Sequence, residues 1–204
     1  MDEEYAKALG GRYEYLVPRK SEDCPSFSCP ADKLVAFAKA ARDREGYEML
    51  VDATAVDWGE EESPRFTAVY HLYSLAQKNY LRVSCDCQDD EEPEAPSLAG
   101  VYPSADWHER ETFDMFGIRF KDHPNLKRIL MWDDYPYFPL RKEFPLAGIE
   151  TPLPAADVAE VTEQAVDPAP MMGGPFVASP SGTAMEVEPR AKDESWTEED
   201  EKPA

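Results

Sequence analysis

Apolar positions along the chain repeat with two different periods. Between Pro30 and Glu45, Leu34, Phe37, Ala38 and Ala41 recur at i, i+3, i+4 and i+7, the spacing of one helical stripe. Gly46 ends that pattern, and the stripe is expected to pack on a sheet. Tyr47 to Asp57, rich in Val, Thr, Met and Leu, is predicted as a strand. Glu60 to Pro64 reads as an exposed turn. Phe66 to Ser74 alternates, with Phe66, Ala68, Tyr70 and Leu72 on one side. After a hairpin loop at Gln77-Lys78-Asn79, Tyr80 to Cys87 returns with Leu81, Val83, Cys85 and Cys87 on one face and Arg82, Ser84 and Asp86 on the other. That alternation makes Cys85 and Cys87 small buried hydrophobes rather than metal ligands.

A second helix is predicted over Ser104 to Gly117. Ser104 is placed to cap its first turn, Asp106 to complement the helix dipole, and Gly117 to close it in the left-handed conformation. At about 100° per residue, Trp107, Arg110, Glu111 and Asp114 share one face. Phe113 and Phe116 share another, with Glu109 between them. Arg110 can reach Asp114 one turn on. A carboxylate among aromatics, as at Glu109, needs a partner if that face is buried.

Weaker signals surround this frame. Arg12 to Pro18 reads as a short strand, and Ser21 to Pro30 as a loop. The acidic stretch Gln88 to Pro96 also reads as a loop, and Ser97 to Tyr102 as one helical turn. Ile118 to Phe120 suggests a short strand, His123-Pro124 a turn, and Leu126 to Met131 a return to apolar structure. From Trp132 onward prolines exclude a helix or central strand, so Tyr135 to Pro145 is expected to run extended. It either lies in a groove on another protein or forms an irregular loop on its own domain. Residues 151–204 have the Pro, Ala and Glu content of a segment that is disordered alone. Met171 to Val177 and Trp196 are its apolar exceptions, expected to anchor on a partner, the alternative being an inert acidic linker. The organisation expected is an N-terminal segment, 1–30; an α+β core, 31–134; a docking segment, 135–150; and a tail, 151–204. The fold class is α+β, a mostly antiparallel sheet flanked by helices, with an extended Pro-rich C-terminal arm.

Composition narrows the function. The chain has 204 residues and a net charge of −21, which argues against nucleic-acid binding and against docking on anionic lipid by charge alone. Such a surface fits a basic protein partner. No apolar run is long enough to span a membrane. The acidic start, Met1-Asp2-Glu3-Glu4, lacks the features of a secretory signal, which points to the cytoplasm and to membrane association only through other proteins. Cys24, Cys29, Cys85 and Cys87 match neither zinc nor iron–sulfur spacing, and a reducing compartment disfavours disulfides. There is no phosphate-binding glycine loop and no nucleophile elbow. A metal-dependent hydrolase built from His108, Glu109, Glu111, Asp114 and His123 is the enzymatic alternative, but on a helix Glu109 points away from Glu111 and Asp114. His71 is expected on a strand, half-exposed.

One ordered string is more specific than any of these. Glu109-Arg110-Glu111, Asp114-Met115-Phe116, His123 and Lys127-Arg128-Ile129-Leu130 follow one another, and Pro139-Leu140-Arg141-Lys142-Glu143-Phe144-Pro145-Leu146 lies downstream. The string resembles the signature of the 30-kilodalton subunit family of NADH–quinone oxidoreductase, respiratory complex I, whose bacterial members are its C-type subunits. The resemblance runs from Lys33 to Leu146. Tyr137 and Phe138 stand where that family commonly carries Gly and His, and Glu143 where it carries Asp. The resemblance implies a subunit without a redox centre or catalytic residues of its own. NADH, FMN, iron–sulfur clusters and quinone would belong to the assembled complex. It implies a peripheral position on the cytoplasmic face of the bacterial inner membrane, against the large hydrogenase-like subunit and other peripheral-arm subunits. Glu109, Arg110, Glu111, Asp114, Phe116, His123, Lys127, Leu140, Arg141, Lys142 and Phe144 would then be the partner-binding residues. An equivalent scaffold in a membrane-bound hydrogenase or formate-hydrogenlyase complex is the alternative machine.

Overall fold

The computed structural model describes residues 2–145 and 148–166. Two compact units divide at 143/144. In the first, α1 (Asp2–Arg12), β1 (Val17–Pro18), β2 (Ser26–Ser28) and α2 (Ala31–Asp43) precede three long strands, β3 (Met49–Asp57), β4 (Phe66–Ser74) and β5 (Asn79–Asp86). β6 (Glu94–Pro96), α3 (Ala105–Phe116) and β7 (Arg119–Lys121) follow. The five-stranded sheet has the order β1-β2-β5-β4-β3. Its pairings are antiparallel except β2 with β5, so the fold is α+β with a mostly antiparallel sheet.

The periodic segments form where their patterns place them. The α2 stripe of Leu34, Phe37, Ala38 and Ala41 is buried, and it joins one core with Phe66, Ala68, Tyr70 and Leu72 of β4 and Leu81, Val83 and Cys85 of β5. Met115 and Phe116 bring α3 into the same core. Cys85 and Cys87 are fully buried and free, and burial pushes both thiols up to about 12. Gly46, just past α2, takes a φ of 76°, which favours glycine.

The non-periodic stretches differ from expectation. Residues 2–12 form a helix whose Leu9 is buried, although the paired glycines Gly10 and Gly11 weaken any helical signal. The expected strand before Pro18 shrinks to Val17–Pro18. Two expected loops each contain a short strand, β2 against β5 and β6 against β7. Both ladders are parallel and join segments distant in sequence, so no hairpin signal marks them. Ser97 to Tyr102 does form a turn, with the Val101 and Tyr102 N–H groups both donating to Leu98 O at 2.8 Å.

In the second unit, β8 (Thr151–Pro152) and β9 (Ala165–Val166) pair antiparallel around α4 (Ala156–Thr162). Composition alone suggests disorder for this stretch. Met171 to Val177 and Trp196 lie outside the described residues.

Candidate interaction surface around the signature helix

Helix α3 lies along the edge strand β3. Ser104 sits at its start with a helical φ of −64° and ψ of −26°, and its hydroxyl makes no capping bond. It donates instead to Leu50 O of β3 at 3.0 Å. Thr112 Oγ1 donates to His108 O at 2.8 Å and lies 3.3 Å from Ala53 O of β3. The Ser104 hydroxyl thus satisfies a carbonyl of the edge strand, and α3 covers that edge, one way a sheet edge is kept from pairing with another chain. Gly117 closes the helix at φ 78°, as its position predicts, and its N–H donates to Phe113 O.

The acids of α3 have separate destinations. Glu109 is fully buried and accepts from the Ser97 hydroxyl and the Leu98 N–H, both at 2.6 Å. Burial pushes its carboxyl up to about 7, against those two bonds and with the help of the nearby Asp106 charge. Asp114 is also fully buried. Its Oδ2 accepts from the N–H groups of Ile129, Leu130 and Met131 at 2.9, 2.7 and 2.9 Å, and its Oδ1 accepts from Arg128 at 2.5 Å. Burial alone would raise its carboxyl; these bonds outweigh it and hold the group below the usual range.

Arg128 then reaches the carbonyls of Tyr135 at 2.6 Å and Tyr137 at 3.2 Å. The expected Arg110–Asp114 pair is therefore replaced. Arg110 bonds the carbonyls of Lys127 and Arg128 at 3.3 and 3.2 Å and lies over the Trp107 ring. Lys127 itself is exposed and contributes that carbonyl.

The His123 side chain is fully buried, with Nε2 3.0 Å from Asp106 O, 3.2 Å from Asp106 Oδ1 and 3.9 Å from Glu109 Oε2. Nδ1 accepts from the Asn125 N–H at 3.0 Å, which leaves the ring hydrogen on Nε2. The hydrolase constellation is thus pulled apart: Glu109 and His123 face one side, and Asp114 faces Arg128. Among the described residues no group of three or more His, Cys, Asp and Glu side chains is placed to hold a metal ion.

The downstream segment does not run extended as far as it is described. It turns back onto its own domain. The Leu140 N–H donates to Met115 O at 3.0 Å, and Arg141 Nε donates to Phe116 O at 2.7 Å. Arg141 also stacks over Phe66 and Phe138. The Lys142 N–H donates to Asp57 Oδ2 at 2.8 Å, and its ammonium to Trp58 O at 3.0 Å. Arg65 pairs with Asp57 at 2.8 Å and with Glu143. Burial opposes the Asp57 charge, but Arg65 and the N–H groups of Lys142 and Gly59 draw its carboxyl down to about 2. Phe144 begins the second unit.

Two partners escaped the sequence reading. Arg128 stands inside the ordered string but carried no assigned role, and the Asp57–Arg65 pair is visible only once β3 and β4 are in register. On the outer surface of this region lie Glu111, Lys127, Leu130 and Leu140.

The fold is that of a respiratory-complex subunit. It overlays a chain of the membrane-bound sulfane sulfur reductase (MBS), an archaeal respiratory membrane complex, with a TM-score of 0.60 at 25% identity, covering 79% of this chain and 91% of that one. The family model described as respiratory-chain NADH dehydrogenase, 30 Kd subunit, matches residues 27–150, and the chain belongs to that family. It is 44% identical over 129 residues to the C 2 subunit of NADH-quinone oxidoreductase from Rhizobium etli, covering 62% of this chain and 67% of that protein. It is 41% identical over 155 residues to the C/D subunit of NADH-quinone oxidoreductase from Sulfurihydrogenibium, covering 74% of this chain and 26% of that longer protein. Among the described residues no helix is long and apolar enough to cross a membrane.

Proposed function

We propose that this chain is a non-catalytic peripheral-arm subunit of a proton-translocating NADH–quinone oxidoreductase. Its role is to scaffold the large hydrogenase-like, quinone-proximal subunit on the cytoplasmic face of the membrane. NADH, FMN, iron–sulfur clusters and quinone are handled by the other subunits. One observation supports the scaffold role: buried acids of the signature helix and of β3 act as ties within the chain. Asp114 and Arg128 hold residues 128–137 in one shape, and Asp57 takes the Lys142 N–H. A relative whose printed name joins C and D in one chain supports pairing with a D-type neighbour.

The test is gentle solubilisation of native membranes, affinity purification of the tagged full chain and mass spectrometry of what accompanies it. Iron–sulfur and NADH-binding subunits, recovered with NADH–quinone activity, are the expected result. The likeness to the MBS chain favours a second reading, the same scaffold in a different respiratory machine. Recovery with hydrogenase- or MBS-type subunits, and none that bind NADH, would select it. Recovery of the chain alone would overturn both.

A further inference from the structure

Glu109 and Asp114 both have internal partners, and Asp106 faces His123. Glu111, on the same helix, is exposed, and its side chain makes no hydrogen bond or ion pair among the described residues. It lines a notch of about 130 Å³ together with Asp52, Ala53 and Thr54 of β3, Thr112, Met115 and Phe116 of α3, and Leu140. The apolar part of the lining is Ala53, Met115, Phe116 and Leu140, and Leu140 is 55% exposed. The charged part is Asp52 and Glu111. Asp52 has only distant contacts, with His71 at 3.7 Å and His108 at 3.6 Å, and no cation lines the notch.

We infer that this notch receives one lysine or arginine side chain of the neighbouring subunit. Its hydrocarbon stem lies on Met115, Phe116 and Leu140, and its cationic head meets Asp52 and Glu111. The inference rests on the proposed assembly with a large neighbouring subunit. Charge complementarity selects the occupant. Long basic side chains bury a stem against apolar surface while the head stays at a polar rim, and the notch has that division. An apolar anchor would leave two carboxylates facing it without partners, and an acidic one would be repelled. Leu140 is held in position by its N–H bond to Met115 O, so the apolar wall is preformed.

The experiment immobilises the complex through the tagged full chain and raises the salt concentration until the neighbouring subunit elutes. The wild-type chain is compared with Glu111→Gln, Asp52→Asn, Glu111→Lys and Leu140→Ala. Thermal melts of the isolated chains establish that each variant is folded. Glu111→Gln and Asp52→Asn are expected to weaken retention about two- to fivefold, the range of a partly exposed ion pair, and to elute at lower salt. Glu111→Lys is expected to weaken it further, by repulsion, and Leu140→Ala also to weaken it. Unchanged retention of a folded Glu111→Gln and Asp52→Asn, or loss confined to Leu140→Ala, would overturn the inference and leave the scaffold reading standing. A wild-type chain that retains no neighbouring subunit would overturn the scaffold reading and, with it, this inference.

Discussion

Arg128 closes on Asp114 at 2.5 Å, with Asp114 fully buried and Arg128 nearly so, and Asp114 at the same time takes the N–H groups of residues 129, 130 and 131. Removing one member leaves the other charged and enclosed, which costs about 3–5 kcal/mol for a buried pair. Asp114→Ala should lower the unfolding free energy by about that much, and the urea midpoint with it, because three N–H groups lose their acceptor as well. Arg128→Ala should do the same, since the Tyr135 and Tyr137 carbonyls lose their donor. The double variant should lose less than the sum of the two, as members of one network do. Additive losses would show that the two residues act separately.

Gly117 supports a second prediction. At φ 78° an added Cβ would lie 2.6 Å from Arg141 Nη2 and 2.7 Å from the Phe138 ring. Gly117→Ala therefore combines a strained backbone with a displaced Arg141, whose Nε bond to Phe116 O holds the downstream turn. The backbone strain alone costs about 1–3 kcal/mol. The melting temperature should fall and the turn at residues 138–143 should become sensitive to protease. A melt equal to wild type would mean that Phe138 and Arg141 move aside freely.

The long strands, α2 and α3 are legible in the sequence because burial on one face imposes a period. Leu34, Phe37, Ala38 and Ala41 mark a helix, and Phe66, Ala68, Tyr70 and Leu72 mark a strand. Short parallel strands such as β2 and β6 leave no such trace, since three residues hold no period and their partners lie far along the chain. The site was legible as a string but not as a set of contacts. Ser104 and Arg110 each have a good partner within their own helix, and each takes a tertiary one instead. Nothing in the order Glu109-Arg110-Glu111 shows that the first acid is enclosed and the third open. That difference arises from the Ser97–Leu98 turn on one side of α3 and the edge of β3 near the other.

Glu109 gives a pH dependence of defined sign. Its ordinary carboxyl value is 4.5, and burial raises it to about 7 in the folded chain. Protonation is therefore favoured by folding. The resulting stability is present below about 4.5 and is lost as pH rises through about 7, with an upper bound of roughly 3 kcal/mol at 1.36 kcal/mol per pH unit. The groups facing this carboxyl are Asp106 and His123, the Ser97 hydroxyl and Leu98 N–H, and the buried Tyr70 ring. His71 works the other way in the same window, since burial lowers its value and its contribution grows as pH rises. Glu109→Gln isolates the first effect: urea midpoints of the variant should lose the downward component between pH 5 and 8 that the wild type shows. Parallel pH curves for the two chains would mean that Glu109 ionises in the fold as easily as in water.

The cysteines give a prediction that separates packing from reactivity. Thiol–disulfide exchange requires the thiolate and access to it. Cys29, Cys85 and Cys87 are buried, and burial raises each to about 12, so at neutral pH almost none of each is thiolate. Cys24 is only partly buried, and its value, also raised by burial, is pulled back by Arg82. An aromatic disulfide reagent at neutral pH should label Cys24 alone on the native chain, and all four cysteines once the chain is unfolded in denaturant. Rapid native labelling of Cys85 or Cys87 would show that β5 opens. The same measurement made on Asp114→Ala asks whether loss of the Arg128 tie reaches the sheet. The core around Cys85 is built largely by α2, β4 and β5, so labelling should stay confined to Cys24 even as the stability of the chain falls.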